Sequence, residues 1–463
     1  MELYITELSK YFITLFVALY TLECFLVFRF QDEEKRSGCY IRQNLLMFLV
    51  HFSCFLVICF QTGKLEYLLF YVLQQILLFA TIVLFRMIYP KGNRLIINNM
   101  CMLLSIGFVV LCRLSFEKAI KQFFIVTVSI ITGMLIPYFI HKLKFLKSLT
   151  WVYAAVGVAA LGIVLILGST TYGSKISYSV AGVTFQPSEF VKIIFVFFLA
   201  SALYESHDFV RVVLTAILAG IHVMILVASR DLGSALIFFI VYVMMVFIAT
   251  GKWLYLLIGG AGGCGAAVLA YQFFSHVQVR VQAWKDPFSC IDDAGYQITQ
   301  SLFAISSGGW FGLGLFRGTP DSIPFVEADF IFSAVAEELG IAFSMCTILI
   351  CISCFIMFMN ISIRLKDKFY QLIAFGLGVT YIFQVFLTIG GGTKFIPMTG
   401  VTLPLISYGG SSVLTTLVMF FIIEGLYIIR QEEGAKRVKK KKRRRRTEYE
   451  DFKEDRQEAE EEE

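Results

Sequence analysis

Asp329 is the residue whose type and position most suggest chemistry. It stands in PFVEADFIFSAVAEELG (324–340), where a long polar segment gives way to an apolar run, so its carboxylate can meet water and a lipid headgroup together. A carboxylate so placed serves as a general base or a cation ligand, and capping the following helix is the structural alternative. Glu337 and Glu338 lie about two turns on, ~12 Å along a helix rising ~1.5 Å per residue, and so serve other atoms.

Four further clusters put polar groups beside or inside apolar runs, where an ionisable side chain costs roughly 2.5–3.5 kcal/mol at a helix centre. In QPSEFVK (186–192), Glu189 and Lys192 are three apart on one helical face, as an internal ion pair or a polar cavity wall. In RDLGS (230–234), Asp231 either caps the next helix or joins that wall. RVQAWKDPFSCIDDAGYQITQ (280–300) carries Arg280 and Gln297 among turn residues, as a site-forming loop or a solvated one. GGGTKFIPMTGVTLPLISYGGSS (390–412) interrupts an apolar run with Lys394, Ser407 and Ser411 beside glycines, which suits an anion or sugar site or close helix packing.

The elements that must position these residues follow from composition. Of 463 residues, 58% are hydrophobic and 16% charged. A soluble domain averages about 45–50% apolar and about 25% charged residues, so this chain cannot hide its apolar side chains in one aqueous core. The long unbroken apolar runs exclude a membrane β-barrel and predict an all-α polytopic membrane protein. Thirteen spans are expected, near 11–29, 43–61, 67–88, 96–113, 122–141, 148–168, 186–204, 210–229, 231–250, 253–272, 329–358, 368–389 and 402–428.

Lys and Arg sort the joining loops. Lys35, Arg36 and Arg42, then Arg86, Lys91 and Arg94, then Lys142, Lys144 and Lys147, then Arg364, Lys366 and Lys368 all fall on one side with the C-terminal basic run. That side is the cytoplasm, which predicts the N-terminus outside. The long polar loops 169–185, 273–328 and 390–401 then face outward, and function is expected there. The tail runs KRVKKKKRRRR (436–446) and then turns acidic, reading as a disordered cytoplasmic appendage drawn to anionic membrane lipids, with no nucleic acid expected as a partner.

In order, QPSEFVK, RDLGSAL, the AW-x-DP to GYQ stretch, DFIFSAVAEELG and TGVTLPLISYGGSS resemble the signature blocks of the SEDS family, whose members are FtsW, RodA and SpoVE. The resemblance covers about residues 97–430, a ten-span core. It implies three domains: three extra N-terminal spans (1–95), the core with its large extracellular loop 273–328 (96–430), and the charged tail (431–463). It further implies a peptidoglycan glycosyltransferase that polymerises lipid II on the outer face of the bacterial cytoplasmic membrane, for division, elongation or sporulation. A class B penicillin-binding protein, a transpeptidase, is the implied partner.

By the same resemblance Asp329 matches the catalytic aspartate, and Glu189, Lys192, Asp231 and Gln297 match polar positions of the central cavity. The chain departs from the pattern at Ala328, commonly Thr, and at Lys175-Ile176-Ser177-Tyr178, where an Arg-Trp pair is usual. Polymerisation needs cations for a pyrophosphate, and Lys192, Arg230, Arg280 and Lys394 lie near the outer face. No cofactor is specified, although a divalent cation, Mg or Mn, bridging Asp329 or the pyrophosphate is compatible with these residues. A lipid II flippase and a scaffold for the transpeptidase are the competing readings. The concentration of long polar loops on one face, with no evident inverted repeat, favours the enzyme.

Overall fold

The computed structural model describes the backbone of residues 2–171, 174–180, 183–205 and 208–461, and their side chains except at 2–5, 144, 169–171, 174–177, 179–180, 183–184 and 436–461. The side chains of Lys175, Ile176 and Ser177 and those of the charged tail therefore lie outside the described residues.

Three helices open the chain, α1 (Glu2–Arg29), α2 (Glu33–Thr62) and α3 (Leu65–Ile88). After them come α4 (Arg94–Leu114), α5 (Phe116–Gly133), α6 (Ile136–Lys142) and α7 (Thr150–Leu167), then α8 (Pro187–Leu203), α9 (Phe209–Ala228), α10 (Leu232–Thr250) and α11 (Leu254–Phe273). The long outer loop holds α12 (Ser275–Lys285) and α13 (Tyr296–Gly308), and the chain ends in α14 (Ile331–Arg364), α15 (Lys368–Gly392) and α16 (Gly410–Glu461). Twelve helical stretches among the described residues are long and apolar enough to cross a membrane. The expected span at 186–204 forms the buried α8, which at 17 residues is shorter than those twelve.

Local signals account for the boundaries. Asp32 and Asn93 accept backbone N–H bonds at the starts of α2 and α4, while Gly63 and Gly251 end α2 and α10 in the left-handed region. Burial then sorts the helices. Every residue of α4 from Leu95 to Cys112 is buried, with α2, α3, α5, α14 and α16 packed around it, whereas α11 buries none of its residues.

Helical backbone of α16 continues through the charged tail to Glu461. Lys, Arg, Glu, Gln and Ala are good helix formers, no Gly or Pro follows Gly434, and the preceding span supplies the helical nucleus. The fold is all-α apart from the loop after α7, which folds as a three-stranded antiparallel sheet of Ser169–Thr171, Ser174–Val180 and Val183–Phe185. Tyr178 pairs with Phe185 and Val180 with Val183, in a segment rich in Thr, Val and other strand formers.

The two ends of the bundle are chemically distinct. At one end Lys91 and His141 reach Glu432, Lys147 pairs with Asp367, and the Lys366 N–H donates to Glu433. At the other end stand the long polar loops and the candidate site residues, so the loops sorted by their basic residues share one end.

Candidate active site at the outer end of the bundle

Asp329 ends a turn-rich segment two residues before α14 and is half-buried. Its neighbours are fixed by a strap formed by residues 394–409. The Ser407 hydroxyl donates to the Ala328 carbonyl and accepts from the Leu403 N–H at 2.9 Å, and the Tyr408 N–H donates to the Glu327 carbonyl at 2.7 Å. Lys118 of α5 pairs with the Glu327 carboxylate. Ser407 is 1% exposed and braces the backbone that carries Asp329.

Arg280 reaches the same place from α12. Its Nη1 donates to the Met398 carbonyl at 3.2 Å, and the Trp284 indole donates to the Lys394 carbonyl at 3.2 Å, which docks α12 on the strap. Asp329 and Arg280 flank Gly400: a Cβ there would lie 3.8 Å from Asp329 Oδ2 and 4.0 Å from Arg280 Nη2. Burial pushes the Asp329 carboxyl up to about 6, against the downward pull of Arg280 and with a further upward push from Glu327. A carboxylate ionised at neutral pH yet poised near it suits proton abstraction.

The Glu189 and Lys192 pair predicted from spacing is present, with Lys192 Nζ 2.8 Å from Glu189 Oε1. Gln384 of α15, unrecognised in the sequence, accepts from Lys192 at 2.9 Å and donates to Ser412 at 3.2 Å, and Thr415 donates to Glu189 at 3.3 Å. Glu189 and Lys192 are 6% and 4% exposed, so their charges are spent on each other and on these amides and hydroxyls. Asp231 does cap α10, accepting from the Ser234 N–H at 3.1 Å, and its other oxygen accepts from Ser188 at 3.1 Å. Ser411 accepts from the Gln186 N–H at 2.9 Å, so α8, α10 and α16 meet in one polar knot beside the strap. Gln297 is half-buried in the first turn of α13 and joins neither network, while Lys394 is half-buried in the strap.

A second knot stabilises the far end of the short helix after Asp329. Gly340, with φ 92° and ψ 165°, breaks α14, which was expected as one continuous span. Loop 309–314 mends the break: Leu313 and Gly314 N–H groups donate to the carbonyls of Glu337 and Glu338, and Gly309 and Trp310 carbonyls accept from Ile341 and Ala342. Arg113, at the end of α4, holds Glu338 at 2.9 Å and Asp321 at 3.3 Å. Glu337 accepts from the Thr319 N–H at 2.8 Å, so both glutamates brace the loop rather than reach Asp329. Arg113 was counted as the end of an apolar run; an arginine at the end of an otherwise apolar helix was the available signal. Among the described residues no group of three or more His, Cys, Asp or Glu side chains converges as a metal site.

Residues 93–432 match the family of FtsW, RodA and SpoVE cell cycle proteins. The chain is 31% identical over 359 residues to the peptidoglycan glycosyltransferase RodA of Mycobacterium tuberculosis, covering 71% of this chain and 76% of that protein. It is 31% identical over 282 residues to a probable peptidoglycan glycosyltransferase FtsW of Bacillus subtilis, covering 57% and 69%. The fold is shared with a chain of a peptidoglycan synthase complex that coordinates polymerization and crosslinking, at a TM-score of 0.63 and 23% identity, over 73% of this chain and 98% of that one. The Thermus thermophilus rod shape determining protein RodA has the same fold at a TM-score of 0.54 and 22% identity, over 73% of this chain and 96% of that one.

Proposed function

Because the chain belongs to the FtsW, RodA and SpoVE family of cell cycle proteins, we propose that it is a multi-pass membrane glycosyltransferase that polymerises lipid II into glycan strands, with Asp329 as the general base. The observation that carries the assignment is that Asp329 and Arg280 both flank Gly400 at the end of the bundle opposite the basic loops. An acceptor sugar hydroxyl placed there gives its proton to the Asp329 carboxylate as its oxygen attacks the anomeric carbon of the donor. The bond from that carbon to the pyrophosphate breaks, and the polyprenyl pyrophosphate leaves with the electron pair. Arg280 is placed to offset the developing phosphate charge, and Lys394 is the next cation along the strap.

Basic residues at one end and the site at the other support an N-terminus outside and a cytoplasmic tail. A divalent cation, if bound, would be held by Asp329 and would supply charge neutralisation for the pyrophosphate; among the described residues no group of three or more His, Cys, Asp or Glu side chains converges to hold one by itself. Likeness to a chain of a synthase complex supports a class B penicillin-binding protein as partner. The mutual pairing of Glu189, Lys192 and Gln384 plugs the membrane core next to the site, which favours surface chemistry over a flippase path. The test is incubation of the purified chain with purified lipid II: glycan polymer is expected, and its absence from well-folded protein overturns the assignment.

A further inference from the structure

Of the three helices before the family match begins at residue 93, α1 is tied to the loop of the candidate site. At the outer end of α1, Glu7 pairs with Arg317 of the long loop and with Lys10 at 2.7 Å. The Tyr11 ring stands 5.1 Å from that of Phe311, and Gly314 runs so close that a Cβ there would lie 3.1 Å from Thr6 Cγ2. Gln61, at the end of α2, donates to the Thr6 hydroxyl at 3.1 Å. Deeper in the bundle Asn99 of α4 accepts from Tyr20 of α1 at 2.9 Å and donates to Ser353 of α14 at 2.6 Å, which fixes the height of α1 against both core helices.

The loop held this way is the one that mends the break at Gly340. Its other side is held by Arg113, which pairs with Glu338 and Asp321 and stacks over Phe316 at 4.7 Å. Phe316 itself lies at φ 66°, a conformation that a bulky residue keeps only when its surroundings impose it. The short helix 331–339 starts beside Asp329 and ends at that break, so the loop's position sets the helix's position.

We infer that α1 is an intramolecular clamp, with Glu7 and Arg317 as positioning residues: by holding loop 309–318 against the break in α14, it fixes the short helix that sets Asp329 opposite Arg280. The clamp rests on the polymerase reading for its activity readout and on hydrogen exchange for an independent one. One exposed ion pair contributes little by itself, so the informative variant reverses a charge and sets like charges together.

The experiment compares full-length wild type, Glu7→Arg, Arg317→Glu and the double swap in detergent. Each single reversal is expected to raise hydrogen exchange in 309–318 and 331–339 by about threefold or more. It is expected to lower kcat on lipid II by about threefold or more while KM stays within about twofold, because substrate contacts are untouched. The double swap restores the pair with opposite polarity and is expected to recover both readouts. Glu7→Gln combined with Tyr11→Leu removes both contacts without adding a charge near the bilayer, and the same exchange pattern is expected there. Unchanged exchange in both segments, or a folded swap that exchanges as fast as the single variants, overturns the clamp. If exchange responds and is restored by the swap while wild type makes no polymer, the clamp stands and the polymerase reading falls.

Discussion

At Asp329 opposing influences decide when the carboxylate is ionised. Burial and Glu327 raise its pKa, Arg280 lowers it, and the balance falls at about 6. A base works only when deprotonated, so kcat/KM for lipid II is expected to fall as pH drops through about 6. Arg280→Gln removes the charge that favours the anion, so the acid limb of that profile is expected to move upward, together with a loss of maximal rate. Gly400→Ala would force a side chain into φ +73°, at a cost of about 1–2 kcal/mol, in the strap that runs between Asp329 and Arg280; a lower melting temperature is the expected reading. Asp329 was legible in the sequence because a charge at the mouth of an apolar run is conspicuous. The Glu189 and Lys192 pair was legible because helical spacing joins residues three apart. Ser407, Gln384 and Arg113 were not read for what they do, since their partners lie far away in sequence and only the fold brings them together.

The helices themselves were readable from apolar runs of membrane-spanning length, and the cap at Asp231 agreed with the start of α10. The break in α14 was hidden, because AEELGIAFS continues an apolar pattern and a glycine alone does not end a membrane helix. What releases the backbone at Gly340 is the loop that supplies replacement hydrogen bonds from 309–314. A Cβ at Gly340 would fall 2.4 Å from the Gly312 nitrogen, at φ +92°, so Gly340→Ala is expected to unfold this junction; thermal melting in detergent reads it. Arg113→Met leaves the Glu338 carboxylate buried at 3% exposure without its partner, with an expected cost of about 3–5 kcal/mol in the same assay.

Across the whole molecule, charge is distributed by side: basic loops meet the last helix at one end, and the loops that carry the candidate site meet at the other. This asymmetry was legible from Lys and Arg placement, whereas the helical backbone of the tail was not, because like-charge runs read as solvated coil. The tail lies at the end opposite Asp329. Deleting 436–463 is therefore expected to leave turnover in detergent largely intact while weakening attachment to anionic vesicles, which a flotation assay reads. The central claim is that Asp329 removes a proton at the outer end of this bundle. Its most direct test is polymerisation of purified lipid II by wild type and by Asp329→Asn, which keeps the size and capping ability of the side chain but cannot take up the proton. The expected result is unchanged folding and lipid II binding with polymerisation reduced by at least about 10²-fold, whereas a well-folded Asp329→Asn that polymerises lipid II at near the wild-type rate would contradict the claim.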